Sequence, residues 1–154
     1  MTRKLKYPLT RDEFNAIYGR VPRLTVEVVA HTSQGIILTQ IAQGVLKGQW
    51  NLPGGTVYFG ETLHQAVQRA TQDELGIAAT VGRLLGYIEY PNLRAAGYVG
   101  WPIGIAFEVS LAEGEEPSLS DQATALRPFA QLPLNTMEEQ RVFLTSHYPA
   151  LAAR

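Results

Sequence analysis

Two adjacent carboxylates near the middle of the chain have the spacing of a divalent-cation site. In the helix predicted there, positions 70, 73 and 74 share one face, and Asp73 and Glu74 occupy two of them. Arg69, four residues before Asp73, can pair with Asp73 or reach back to Glu61. Mg²⁺ prefers oxygen ligands and keeps several waters. These residues therefore predict a site that holds a cation against a polyanion such as a diphosphate.

Glycines precede this helix where the backbone must turn. Gly54 and Gly55 lack a Cβ, so the chain can fold sharply there and bring a carbonyl close to the cation. Gly60 forms the turn into the helix and is expected to place Glu61 in the first helical turn. We therefore expect the cation to lie between the Gly54 carbonyl and the two carboxylates.

The elements that position these residues are typical of one α/β (α+β) domain over residues 1–154. Thr10 followed by Glu13 predicts a capped helix in an N-terminal extension, residues 1–20. Gly76 is a natural stop for the helix that carries the acids. The order α-β-β-β-α-β-β-β-α favours a mixed sheet with one helix on each side. The predicted elements are residues 9–20, 24–32, 36–41, 50–58, 61–75, 80–90, 101–111, 126–129 and 135–147, the last with Asn135 as its N-cap.

Composition excludes several classes of function. The 154 residues include no Cys, so disulfides, thiolate catalysis and Cys-ligated zinc are excluded. With 13 basic and 14 acidic residues the net charge is −1, which argues against nucleic acid as a partner. The chain has no apolar run of about 18 residues, and its basic N-terminus lacks the apolar stretch of a signal peptide. We therefore expect a cytoplasmic protein with no membrane partner.

Segment 54–77 resembles the signature of the Nudix hydrolases, Gly-x5-Glu-x7-Arg-Glu-U-x-Glu-Glu-x-Gly-U, where U is bulky and apolar. The identities in register are Gly55, Glu61, Arg69, Glu74, Gly76 and Ile77, and Asp73 is a conservative replacement. The resemblance implies a Nudix-type α/β/α sandwich with a mixed central sheet, a homodimer, and a Mg²⁺ ion that Mn²⁺ can replace. It implies metal ligands at Gly54, Asp73 and Glu74. It also implies hydrolysis of a small-molecule nucleoside diphosphate derivative, with catalytic roles for Glu61, Arg69, Asp73 and Glu74.

The sequence departs from the family pattern at the residue after Arg69. Ala70 stands where the family has a Glu that is a metal ligand and often the general base, and Thr71 follows it. Ala70 itself is interpreted as helix packing. A later loop that often carries an acid here reads Asp121-Gln122, and Gln122 cannot be an anionic ligand. Asp121 is therefore the candidate for the general base.

The same departures resemble GDP-mannose mannosyl hydrolases, which also lack that Glu, but their late-loop His has no counterpart here. The substrate therefore stays open among a nucleoside diphosphate sugar such as GDP-mannose, an ADP-ribose-like compound and a nucleotide. An alternative is a catalytically weak or inactive nucleotide-binding or sensor domain, since Ala70 removes one acid. A Nudix-fold isomerase would need a further acid or a thiol, and the lack of Cys counts against it.

The segment after residue 90 is a second candidate for substrate binding. Tyr90 and Arg94 belong to a predicted loop rich in aromatic and hydrogen-bonding side chains, on which a base or sugar could stack. An ordinary surface loop would have the same composition. We expect none of the three His residues to be catalytic.

Overall fold

The computed structural model describes residues 6–152, which form seven strands and four α-helices. The strands are β1 (Arg23–Thr32), β2 (Gly35–Ile41), β3 (Trp50–Asn51), β4 (Gly54–Thr56), β5 (Ala79–Glu89), β6 (Pro102–Leu111) and β7 (Ala123–Phe129). The helices are α1 (Arg11–Tyr18), α2 (Leu63–Leu75), α3 (Asn92–Ala95) and α4 (Glu138–His147), and a 3₁₀ turn follows at Pro149–Leu151. The predicted order is confirmed, except that strand 50–58 is divided into β3 and β4 and a predicted loop contains α3.

Strand β1 lies at the centre of a mixed sheet. It runs parallel to β6 and antiparallel to β4, which pairs with it from Thr25↔Thr56 to Glu27↔Gly54. Strand β5 extends the sheet beyond β6, while β2 joins the end of β1 and pairs with β3 and β7. The short β4 therefore brings the glycines beside the middle of β1.

Alternate side chains of β1 enter two cores on opposite faces of the sheet. Val26 and Val28 pack with Val67 and the rest of the buried face of α2. Val29 belongs to the second core, with Leu144 of α4. The predicted sandwich, with a helix on each side of a mixed sheet, is confirmed, because neither apolar face of the sheet can stay in water.

Helix α2 begins at Leu63, two residues later than predicted. Thr62 is its N-cap: the Thr62 hydroxyl accepts from the Gln65 N–H at 3.2 Å, and the Gln65 side chain accepts from the Thr62 N–H at 2.9 Å. Glu61 lies before this capping box, so its predicted place in the first helical turn is wrong. Gly76 ends the helix as predicted, with a left-handed φ of 73° that a side chain would disfavour.

The other predicted caps have different outcomes. The Thr10–Glu13 capping box of α1 is confirmed. Asn135 is not the cap of α4, because it lies in a hydrogen-bonded turn and the backbone after it pairs with Trp50, so the helix begins only at Glu138. None of the helices in residues 6–152 is long and apolar enough to cross a membrane.

Candidate functional site

A cavity of about 330 Å³ opens between β1, β4, α2 and the segment that follows β5. Its wall combines charged, hydroxyl and glycine residues, among them Arg23, Thr25, Glu27, Gly54, Glu74 and Tyr98. Thr25 and Glu27 lie on one face of β1 because alternate residues of a strand point the same way. The cavity therefore joins the two predicted ligands Gly54 and Glu74 to polar residues of the central strand.

Arg69 links the loop before α2 to the helix through hydrogen bonds and ion pairs. Its Nε donates to Glu61 Oε2 at 2.7 Å, its Nη1 to Asp73 Oδ2 at 3.2 Å and its Nη2 to the Thr56 carbonyl at 2.7 Å. The guanidinium also stacks 3.5 Å from the Tyr58 ring. Both pairings predicted for Arg69 are present, and the hydrogen bond from Arg69 holds the pKa of Glu61 below its usual value.

Substitution Arg69→Gln should destabilise the protein by about 2 kcal/mol at neutral pH, since Glu61 and the Thr56 carbonyl lose charge-assisted hydrogen bonds. A lowered carboxyl pKa stabilises the fold above the unfolded pKa, and this stabilisation is lost as the pH falls through the folded pKa. The difference between variant and wild type should therefore shrink below about pH 4. Urea unfolding of the variant and the wild type, at neutral pH and below about pH 4, measures the difference in their free energies of unfolding. The control Arg83→Gln, which breaks an exposed pair with Glu108, should change stability less.

Glu27 is a functional candidate that the sequence reasoning missed. Its side chain is buried, with 7% exposed, and its Oε1 accepts from Tyr90 Oη at 2.9 Å and from Thr25 Oγ1 at 3.1 Å. Burial raises the pKa of Glu27 to about 7, against the opposing effect of these two donors and of Arg23. The available signal was one carboxylate within the apolar run of β1, where an acid must have a partner or a ligand.

Two glycines make room for the Glu27 carboxylate. A Cβ at Gly104 of β6 would lie 2.6 Å from Glu27 Oε1, and a Cβ at Gly54 would lie 2.8 Å from Glu27 Oε2. In residues 6–152, Oε2 accepts no hydrogen bond from the protein. One oxygen of Glu27 is thus held by the fold, and the other faces the glycine end of the cavity.

The two acids of α2 have different surroundings. Glu74 lines the cavity, whereas Asp73 is half-buried against Arg69 and is not part of the cavity wall. Ala70 is 1% exposed in the core beneath α2, which confirms its interpretation as helix packing. In the late loop, Gln122 lines the cavity and Asp121 does not; the two side chains are joined by a hydrogen bond of 3.3 Å.

Tyr90 is buried although the sequence places it in a predicted surface loop, whereas most of residues 91–100 are exposed. Tyr90 is 3% exposed, and its hydroxyl donates to Glu27 and accepts from Gln140 Nε2 at 3.0 Å. Tyr90 lines the cavity, and its ring is held in the core between β1 and α4. Arg94 lines a second cavity, which touches the first through Tyr98.

The donors around the cavity suit a hard divalent cation. Gly54 forms a non-hydrogen-bonded pair with Glu27: the ladder bonds run from Val28 N–H to Pro53 and from Val57 N–H to Leu24, so the Gly54 carbonyl points away from β1. Carboxylate, carbonyl and amide oxygens are the ligands that Mg²⁺ and Mn²⁺ accept. Within residues 6–152, no three His, Asp or Glu side chains cluster as a metal site. A cation here would therefore need the backbone and amide oxygens as well as Glu74.

The mixed sheet between two helices, with glycines on β4 facing an acidic α2, defines a Nudix-type α/β/α domain. Residues 21–145 match the NUDIX domain, and the chain belongs to that family. Its structure is similar to the crystal structure of a MutT NUDIX hydrolase from Burkholderia pseudomallei, with a TM-score of 0.70 and 28% identity over 80% of this chain and 96% of the other.

Two curated relatives match in sequence. A low-salt glycan biosynthesis protein of Haloferax volcanii is 37% identical over 86 residues, which are 54% of this chain and 55% of that protein. An ADP-ribose pyrophosphatase of Methanocaldococcus jannaschii is 33% identical over 94 residues, 61% of this chain and 54% of that protein. The chain thus spans about half the length of these relatives.

Proposed function

We propose that this protein hydrolyses a nucleoside diphosphate linked to a second group, with the help of a bound divalent cation. The observation that carries the proposal is that Gly54, Glu74 and the buried Glu27 line one cavity. Hydrolysis of a diphosphate needs positive charge beside the phosphates and an acceptor that orients the attacking water. A cation beside Gly54 and Glu74 would supply the positive charge. Glu27 would accept a hydrogen bond from the attacking water.

The Gly54 carbonyl, the Glu74 carboxylate and the Gln122 amide oxygen would hold this cation, Mg²⁺ or Mn²⁺. When bound, it neutralises phosphate charge and lowers the pKa of a coordinated water. Asp73 stays a predicted ligand, although its pairing with Arg69 favours a supporting role. Glu61 and Arg69 support the site by tying the loop 56–61 to α2.

Glu27 replaces, in this proposal, the acid that the helix lacks at position 70. Its Oε1 is occupied by Tyr90 and Thr25, which fixes the direction of the carboxylate. Its Oε2 faces Gly54, and no protein donor in residues 6–152 occupies it. We infer that Oε2 accepts a hydrogen bond from the attacking water or from a substrate hydroxyl. Asp121, the candidate from the sequence, lies outside the cavity wall and is the weaker choice.

The substrate class follows from the relatives together with the cavity. One relative is named as an ADP-ribose pyrophosphatase and another as a glycan biosynthesis protein, so both names concern sugar compounds. We therefore propose a nucleoside diphosphate sugar or ADP-ribose as substrate. A homodimer and a cytoplasmic location stay predictions.

The test is a substrate panel in ¹⁸O-labelled water with Mg²⁺ or Mn²⁺. It contains nucleoside diphosphate sugars, ADP-ribose and nucleoside triphosphates. Label in a phosphate product would indicate attack at phosphorus, and label in the released sugar would indicate attack at carbon. Saturable binding without turnover at any metal concentration would reject hydrolysis and favour the sensor alternative.

Substitution Glu27→Gln should lower kcat by roughly tenfold to a hundredfold, because an amide keeps the shape but is a poor proton acceptor. The fold should persist, since Tyr90 and Thr25 can still donate to the amide oxygen. Steady-state kinetics on the best substrate of the panel measures the effect. Glu89→Gln, which changes an exposed acid at the end of β5, is the matched control. Equal kcat values for Glu27→Gln and wild type would remove Glu27 from the mechanism.

A further inference from the structure

Arg23, the first residue of β1, is held in place entirely by neutral groups. Its Nη1 donates to Thr56 Oγ1 at 2.9 Å and its Nη2 to Tyr98 Oη at 2.7 Å. The guanidinium lies 5.1 Å from the Phe14 ring and 6.0 Å from the Tyr18 ring. Four side chains thus fix the direction of this cation without neutralising it.

No acid of residues 6–152 contacts the Arg23 guanidinium, although its charge lowers the pKa of Glu27 from a distance. Arg23 forms no ion pair with any acid of residues 6–152, unlike Arg69, which pairs with two. Its Nε is buried and has no hydrogen-bond acceptor there. Glu27, on the same face of β1, is four residues along the strand, about 13 Å between Cα atoms. A partly buried cation with an unused donor is costly in a folded protein, so the unused Nε and the lack of an acid in direct contact both point to a ligand.

Arg23 faces the cavity that contains the candidate metal ligands. It lines that cavity together with Gly54 and Glu74. Thr56, which accepts from Arg23, is two residues after Gly54 in β4, about 7 Å along the extended chain. A diphosphate bound beside Gly54 is therefore within reach of the guanidinium.

We propose that Arg23 binds the diphosphate of the substrate and supplies a positive charge to it, in the cavity that Gly54 and Glu74 also line. The inference rests on the proposed function. The planar guanidinium presents several N–H donors in a geometry that matches phosphoryl oxygens, and two of its nitrogens are already oriented by Thr56 and Tyr98. The substrate supplies an anion in direct contact with Arg23, which no acid of residues 6–152 does.

Residues 6–20, which precede the NUDIX domain match, help to hold the Arg23 side chain in place. Phe14 of α1 covers the guanidinium, and the Tyr7 hydroxyl donates at 2.6 Å to the same Thr56 oxygen that accepts from Arg23. The Tyr7 ring also packs edge-on against Tyr58, 5.4 Å between centroids. In this proposal α1 therefore helps to position a substrate-binding residue, and Tyr7 before it contacts the loop beside Arg69.

The experiment measures binding of inorganic pyrophosphate to the 154-residue chain by titration calorimetry, with and without Mg²⁺. Arg23→Gln should weaken binding by roughly tenfold or more, as expected for a lost hydrogen bond to a charged group. The pyrophosphate affinity of Arg23→Lys should lie between those of the wild type and Arg23→Gln, because Lys keeps the charge but loses the fixed donors. The control Arg11→Gln removes an exposed charge from α1 and should bind as wild type does.

Kinetics on the best substrate gives a second measurement. Arg23→Gln should raise KM by a similar factor with a smaller change in kcat, and Tyr98→Phe, which removes one acceptor of Arg23, should raise KM less. Pyrophosphate affinity within twofold of wild type in Arg23→Gln, or a loss confined to kcat, would overturn the inference. If Arg23→Gln does not fold, Arg23→Lys decides by the same criterion.

The two proposals fail in different ways. A wild-type protein that turns over substrate, with Arg23 variants that bind pyrophosphate normally, rejects only the role of Arg23. A wild-type protein that binds no pyrophosphate and hydrolyses nothing in the panel rejects the proposed function itself.

Discussion

Replacement of Glu74 by Gln is expected to lower kcat by about a hundredfold or more and to leave the fold intact. Glu74 is the acid of α2 that lines the cavity, and the amide keeps its size while removing its charge. A hard cation binds an amide oxygen less strongly than a carboxylate, so the variant should also need more Mg²⁺ for half-maximal rate. Initial rates measured across a series of Mg²⁺ concentrations separate the loss of kcat from the loss of metal affinity.

Two further variants sharpen this result. Glu113→Gln removes an exposed acid from the loop after β6 and should not change the rate. Asp73→Asn should reduce the rate less than Glu74→Gln, because Asp73 contacts Arg69 and does not line the cavity. Full activity of Glu74→Gln at every Mg²⁺ concentration would show that Glu74 does not hold the cation.

The second large effect is expected from restoring the acid that the family pattern has at position 70. Ala70→Glu should destabilise the protein by about 3 kcal/mol or more and should not raise its activity. Ala70 is 1% exposed and packs in the core between α2 and the sheet, where a carboxylate would be buried without a partner. The free energy of unfolding from urea denaturation, together with kcat on the best substrate, measures both parts.

The same substitution at an exposed alanine shows whether Ala70→Glu destabilises the protein because the carboxylate is buried or because a charge is added. Ala78→Glu, just after α2, adds an identical charge to the surface and should change stability little. A stable Ala70→Glu protein with increased turnover would mean that position 70 faces the substrate, and the role given to Glu27 would then be wrong.

Much of the fold and part of the site could be predicted from local sequence. The capping box of α1 and the glycine stop of α2 depend on residues within four positions of each other, so short-range patterns are sufficient. The same reasoning applies to Arg69 and Asp73, which are one helical turn apart. The apolar spacing of α2 likewise indicated that Ala70 packs inward.

Two predicted helix starts were wrong where tertiary contacts competed with local preference. Glu61 was expected in the helix, but its carboxylate pairs with Arg69 and leaves the cap to Thr62. Asn135 has a suitable side chain for a cap, but the adjacent backbone pairs with Trp50. A propensity is a small free energy, and a sheet contact or an ion pair outweighs it.

By itself, then, the sequence determined the register of Glu61, Arg69, Asp73 and Glu74 and the order of the elements, because each depends on spacing along the chain. Only the tertiary structure decided that Glu27 and Arg23 line the same cavity as Gly54 and Glu74. Their partners come from far along the chain: Tyr90 lies 63 residues from Glu27, and Tyr98 lies 75 residues from Arg23. The surroundings of Glu27 and Arg23 come from the segments that the fold places next to β1, and a local sequence pattern does not show which segments these are.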